Sequence, residues 1–335
     1  MPEAVDAALL VFILAVVMSY VYAFVGGFTD AANAIATSVG TRAFSPGQAV
    51  LVAAVFEMLG ALTGTAVALT IGTGVVHTEF LTQGAVVAAL AGAMTWSLIT
   101  YRFGIPVSET HGLIGGILGV GLLYAGVEGV IWGGVVPVLL AIIASPALGV
   151  AGGMLMLLLV RAVFGRTSRA TGVAWTRNLQ RLSAIYMAFS HGRNDAQKPM
   201  GVLTLALVVY LGAPADAVPL WVILTVGVVA AMGVAVGGWR IIRTLGMRIT
   251  GLDSAQGFAA ETSAATVLQL ASQAGIPVST THTITSAIVG VGAMSNWRSI
   301  RWTLVFEIVT SWVFTLPATI LFGFVYAALF RGILG

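Results

Sequence analysis

Two carboxylates, Asp30 and Asp195, stand in polar phrases inside a chain that is otherwise poor in charge. The first phrase is Gly27-Phe28-Thr29-Asp30-Ala31-Ala32-Asn33-Ala34-Ile35-Ala36-Thr37. The second is Ser190-His191-Gly192-Arg193-Asn194-Asp195-Ala196-Gln197-Lys198-Pro199-Met200-Gly201. Aligned on the Asp, Thr29 pairs with Asn194 and Asn33 with Lys198. An ionisable side chain inside an apolar span is expensive to keep and marks a functional site by default. The bland alternative, a helix cap or an interhelical hydrogen bond, is disfavoured because the Asp recurs in equivalent places. Another phrase is also duplicated: Gly104-Ile105-Pro106-Val107-Ser108-Glu109-Thr110-His111 and Gly275-Ile276-Pro277-Val278-Ser279-Thr280-Thr281-His282, 171 residues apart. Ser and His together are the residue types of a nucleophile and its base. Neighbours on one helical turn rarely point at each other, however, and duplication suits symmetry better than a single hydrolytic centre. His111, His191 and His282 invite a metal reading, but no i, i+4 pair exists and their neighbours differ.

These residues need elements to position them, and composition says which. With 59% hydrophobic and 8% charged residues the chain is a polytopic membrane protein, not a soluble domain. Apolar runs predict helices at roughly 5–27, 47–75, 83–102, 130–160, 180–211, 218–240, 254–273 and 302–328. Both Asp phrases are expected to interrupt membrane-spanning helices. Each Gly-Ile-Pro phrase breaks one helix and starts another, followed by short apolar stretches at Leu113–Tyr124 and Ile284–Met294. Helical hairpins or discontinuous helices result, and the whole is an all-α fold with about 10–12 membrane segments. Cys is absent, which excludes disulfides and thiolate metal sites. The acidic start, Met1 to Asp6, lacks the basic residues of a signal peptide, so the first helix is expected to be retained.

Arginine placement sets the expected topology, since cytoplasmic loops collect Lys and Arg. Arg161, Arg166, Arg169, Arg177 and Arg181 lie in a central connector without an acid, which puts it in the cytoplasm. The loops at His77–Glu79, Glu128 and Asp216 fall outside; Arg42, Arg240-Arg243-Arg248 and Arg298-Arg301 fall inside, with Arg102 and Arg331 as exceptions. The expected organisation is a first repeat at 1–160, a basic cytoplasmic connector at 161–178 and a second repeat of inverted topology at 179–335.

The phrases together resemble the inorganic phosphate transporter (Pit) family, most of all its bacterial low-affinity branch. Asp30-Ala31-Ala32-Asn33, His191-Gly192-Arg193-Asn194-Asp195-Ala196-Gln197-Lys198 and both Pro-Val-Ser phrases carry the likeness, in order, across both halves. The resemblance implies a homodimer in the cell (inner) membrane, a substrate site between the repeats and alternating access. Import of phosphate would be coupled to H+ or Na+, with no organic cofactor, no enzymatic step and no nucleic acid partner. A sulfate carrier of the same family and an uncoupled anion channel are the alternatives. Half-helix N-termini suit an oxyanion, because they offer free N–H groups and a partial positive charge. The substrate set is then Asp30, Asn33, Ser108, Glu109, Thr110, Asn194, Asp195, Lys198, Ser279, Thr280 and Thr281. Asp30, Asn33, Asp195 and Glu109 would hold the coupling ion, with Na+ or a divalent metal at Asp30 and Asp195. Thr29, Thr37, His111, His191, Arg193, Gln197 and His282 are expected around them.

Three departures from the family pattern stand out. Lys198 occupies the counterpart of Asn33, where an ammonium could replace a mobile cation or touch phosphate. Glu109 replaces a hydroxyl residue and could pair with Lys198 or Arg193, carry a proton, or face solvent at the hairpin tip. Thr29 replaces an amide or imidazole. Glu57, Glu261 and Glu307 are candidates for a proton relay or for interhelical hydrogen bonds.

Overall fold

With no water in a bilayer core, backbone amides must be satisfied within their own segment, so an apolar chain of this kind folds into helices. The computed structural model describes residues 7–213 and 216–333, and no strand occurs among them. The acidic start expected to precede the first helix lies outside the described residues. The helices are α1 Ala7–Gly40, α2 Pro46–Ala61, α3 Ala66–Thr73, α4 Gln83–Phe103, α5 Glu109–Ala125, α6 Trp132–Phe164 and α7 Arg169–Asp195. They continue as α8 Gln197–Leu211, α9 Leu220–Val236, α10 Trp239–Arg243, α11 Ser254–Gln273, α12 Thr280–Asn296 and α13 Trp302–Phe330. Five of those described, α1, α4, α5, α6 and α13, are long and apolar enough to cross a membrane, or up to seven spans if the bent pairs α2–α3 and α9–α10 count. The bends are 72° and 57°. The order of elements is compatible with the expected duplication, with α1 set against α7–α8, α2–α3 against α9–α10, and α4, α5 and α6 against α11, α12 and α13.

Two expectations need correction. The Asp30 phrase does not interrupt its helix: α1 runs unbroken through it to Gly40, and every residue from Thr29 to Val39 is buried. Gly27 is a contact point within that helix, since a Cβ there would stand 2.2 Å from the Ala230 carbonyl oxygen of α9. The second phrase is interrupted at a single residue, Ala196, between α7 and α8, where the backbone keeps right-handed helical angles (φ -66°, ψ -23°). Pro199 explains the difference: it has no N–H for the Asp195 carbonyl, and its ring crowds that group. The expected single helices at 47–75 and 218–240 are likewise bent pairs, and most of the connector at 161–178 is helical.

The duplicated phrase folds alike in both halves. Gly104 and Gly275 adopt left-handed φ values of 70° and 68° and end α4 and α11, a conformation cheap only for glycine. An extended Ile-Pro-Val follows. Ser108 and Ser279 then cap α5 and α12, accepting from the N–H groups of His111 (3.2 Å) and His282 (3.1 Å). Ser279→Ala is therefore expected to cost about 1 kcal/mol of stability, seen as a lower melting temperature with the fold retained.

Charge is sorted between two ends. Arg177 donates to the Arg42 carbonyl (2.9 Å), Arg240 to that of Arg102 (2.6 Å) and Arg161 to Ser295 Oγ (2.7 Å), while the Arg301 N–H reaches the Ile249 carbonyl (2.9 Å). Arg102, an exception in sequence, thus sits with Arg240. At the other end the His77 N–H bonds the Gly129 carbonyl (3.0 Å), bringing the Glu79 and Glu128 turns together. Arg331 remains an exception, its guanidinium 5.5 Å from the Tyr124 ring centre near that second end. α6 runs from the Glu128 end to the arginine end, and α13 runs the opposite way.

Candidate functional site

The polar phrases meet at the first turn of α12. Thr280 Oγ1 donates to Asp195 Oδ1 (2.6 Å), and the next residue, Thr281, donates to Asp30 Oδ1 (3.4 Å) and accepts from the Asn33 amide (2.9 Å). One half-helix N-terminus therefore faces both carboxylates. Asn194 braces this arrangement, its Nδ2 within reach of Thr280 Oγ1 and the Val278 carbonyl (both 3.1 Å), while its Oδ1 accepts from Ser272 (3.3 Å).

Around Asp195 the compensation is dense. Lys198 Nζ lies 2.9 Å from Oδ1, and His191 Nε2 lies 3.2 Å from Oδ2. The other nitrogen of His191 is 2.8 Å from Glu57 Oε2, so the ring spans two carboxylates contributed by α2 and α7. Asp30, by contrast, enters no ion pair among the described residues. Its neighbour Asn33 has a buried carbonyl oxygen, Oδ1, without a hydrogen-bond partner. The atoms of Asp30, His191 and Asp195 that could bind a cation lie within 4.8 Å of one another. The carboxylate oxygens of this set suit a hard cation such as Na+. A small cavity lined by Tyr22, Gly26, Asp30, Glu109, His191, Asp195 and Lys198 adjoins them.

Glu109 is buried, which removes the solvent-facing reading, and it pairs with neither Lys198 nor Arg193. Its Oε1 accepts from Thr29 (2.8 Å) and Ser97 (2.5 Å). Thr29 to Glu109 is the first-half counterpart of Asn194 to Thr280, so two departures noted separately in sequence form one contact. Thr110 donates to the Val278 carbonyl (3.1 Å) and ties one hairpin to the other. Arg193 points away to Gln269 (2.9 Å), and Gln197 accepts from the Val67 and Ala68 amides at the α2–α3 break. Thr37 lies two turns below Asp30 and donates to Glu261 (2.5 Å), which also accepts from Ser183 and Gln180. Glu307 is exposed on α13 and belongs to no such cluster. His111 and His282 pack edge to face at 4.8 Å, and Trp312 stacks on His282 at 3.9 Å.

Several members escaped sequence reasoning. Tyr22, whose hydroxyl donates to the Glu109 carbonyl (3.2 Å), stands two turns before Asp30 on the same face of α1, and that i, i+4, i+8 spacing was the available signal. Ser97, Ser272 and Trp312 carried none, because their contacts join residues distant in the chain.

Neither Ser108 nor Ser279 is placed against a His ring; both hydroxyl oxygens cap their helices instead. What remains is a buried cluster of charges and hydroxyls between apolar helices. The sequence model described as the phosphate transporter family matches residues 26–323. A protein of Rhizobium meliloti (strain 1021), named "Probable low-affinity inorganic phosphate transporter", is 44% identical over 89% of this chain and 90% of its own length. One of the same name from Bacillus subtilis (strain 168) is 37% identical over 95% and 96%. A solved structure described as "The sodium-dependent phosphate transporter" superposes with a TM-score of 0.88 at 27% identity, covering 96% of this chain and 99% of that one. The chain belongs to the phosphate transporter family, as the phrases suggested, and its relatives are named transporters, not enzymes.

Proposed function

We propose that the chain imports inorganic phosphate together with a cation, H+ or Na+, by alternating access between two inverted repeats. The observation that carries this reading is the α12 N-terminus, whose Thr280 and Thr281 touch Asp195 and Asp30 in turn. A half-helix N-terminus attracts an oxyanion, and Asp30 beside it, which has no ion-pair partner among the described residues, requires a cation or substrate protons to be compensated. A protonated phosphate can donate hydrogen bonds to Asp30 or Asp195; sulfate, unprotonated, cannot, which favours phosphate. The opposed directions of α6 and α13 between an arginine end and an acidic end support the inversion. By the same charge rule the arginine end, with the connector, is cytoplasmic and the membrane is the cell membrane.

In this reading Asp30, Asn33, Asp195 and Glu109 handle the coupling cation. Ser108, Thr110, Asn194, Lys198, Ser279, Thr280 and Thr281 shape the substrate site with them, and a divalent metal travelling with phosphate would use the same oxygens. The protomer works as a homodimer, which cross-linking in membranes tests. Coupling is tested in proteoliposomes with pH and Na+ gradients imposed separately. Uphill accumulation of labelled phosphate under one of them is expected, unaffected by excess sulfate. Accumulation under neither gradient would mark an uncoupled channel, and competition by sulfate a sulfate carrier.

A further inference from the structure

The two halves of the site share a plan, an Asp with a polar residue one turn later, and differ in the identity of that polar residue. On α1 the pair is Asp30 and Asn33; across the α7–α8 break it is Asp195 and Lys198. Asp30 has the Thr281 hydroxyl at 3.4 Å and no cationic side chain of its own, and Asn33 Oδ1 is buried with nothing bonded to it. Both residues bond the same Thr281 hydroxyl, Asp30 through a carboxylate oxygen and Asn33 through its amide nitrogen, so the two side chains flank one hydroxyl. At the equivalent place beside Asp195 the space is filled by Lys198 Nζ at 2.9 Å. That side chain is 3% exposed, which rules out snorkelling to the membrane surface. It is the one lysine of the chain.

We infer that Lys198 is a resident cation: its ammonium takes, beside Asp195, the position that a mobile cation takes beside Asp30 and Asn33, so that each phosphate moves with one fewer mobile cation than a site with Asn in both halves. The inference rests on the reading of the chain as a cation-coupled phosphate transporter. It makes Lys198 a residue that determines coupling number. The physical reason is that a buried carboxylate opposes passage through the apolar barrier until it is compensated. Asp195 carries its compensation permanently, and Asp30 must recruit it each cycle.

Lys198→Asn restores the symmetric pair, and it should make phosphate transport take up one additional Na+. In proteoliposomes with the membrane potential clamped at zero, the Na+ to phosphate ratio from dual-label uptake should rise by about one relative to the wild type, whichever ion the wild type uses. A tenfold inward Na+ gradient should then hold about tenfold more phosphate in the variant than in the wild type at steady state, since each coupled ion multiplies accumulation by its own gradient. An unchanged ratio overturns the inference. So does a well-folded variant that stays inactive at saturating Na+, because that outcome assigns Lys198 to phosphate itself. If Lys198→Asn does not fold, the wild type decides alone: accumulation that follows the first power of its coupling-ion gradient, counted for one protonation state of phosphate, agrees, and the second power overturns it. Wild-type protein that accumulates no phosphate under any gradient refutes the transport reading instead.

Discussion

Asp30→Asn should abolish gradient-driven phosphate uptake while leaving the protein as stable as the wild type, and Asp195→Asn should cost both transport and stability. The two differ because their surroundings differ. Asp195 neutralises Lys198 at 2.9 Å and faces His191 at 3.2 Å, so its removal strands a buried ammonium. Breaking a buried pair from one side costs about 3–5 kcal/mol. Asp30 is in no ion pair, and its one hydroxyl partner, Thr281, can donate equally well to an Asn carbonyl. On the proposed function, what Asp30→Asn removes is the charge that draws the mobile cation. Interactions with a buried charge are worth about 1.5–3 kcal/mol, which corresponds to a loss of cation affinity of about 10- to 100-fold. Radiolabelled uptake and thermal melting of both purified variants check this. Wild-type uptake in either would remove the carboxylates from the proposed site, and equal melting temperatures would show that the Lys198 pair contributes nothing to stability.

The second large effect is expected from a substitution that changes no charge. α2 and α7 cross with their backbones in contact: a Cβ on Gly192 would lie 2.1 Å from the Glu57 carbonyl oxygen and 2.6 Å from its Cα, and one on Gly60 would lie 2.0 Å from the Phe189 oxygen. Small residues at such crossings let membrane helices approach closely. Backbone cannot swing aside as a side chain can, so Gly192→Val must push the helices apart, at a cost of about 3 kcal/mol or more. The same displacement pulls Glu57 from His191, whose 2.8 Å contact depends on this crossing. Size-exclusion chromatography should show loss of monodisperse protein, and any folded remainder should lack uptake. Gly47→Ala, where the added carbon meets nothing within 4 Å, is the control. A monodisperse, active Gly192→Val would mean that the crossing is far looser than described.

The membrane class and the two Gly-Ile-Pro hairpins were legible in the sequence because each rests on local chemistry. Apolar composition selects helices, and Gly followed by Pro and then Ser spells a left-handed stop, an extended link and a cap. The continuity of α1 was not legible, because Gly27 looks the same in sequence whether it ends a helix or admits a neighbour. Pro199 did carry the break of the second phrase, through the amide it lacks, but placing that break at Ala196 required the helix register. The site's composition was readable and its wiring was not. Thr29 and Glu109 each read as a loss from the family pattern, yet together they replace an amide-to-hydroxyl contact by a hydroxyl-to-carboxylate one. That is a long-range fact, visible only once α4 and α5 fold back on α1. Arg102 reads as an exception for the same reason, since its place beside Arg240 depends on how α4 and α10 meet.

The unequal continuity of the two Asp-bearing segments has a mechanical meaning. A duplicated carrier with identical halves could reverse its orientation by letting the copies trade shapes, and its two facing states would then have the same energy. Here one segment is an unbroken helix from Ala7 to Gly40, and the other is interrupted at Ala196, one turn before a proline that the first segment lacks. Under the alternating access proposed above, the two facing states of the empty carrier would therefore differ in energy.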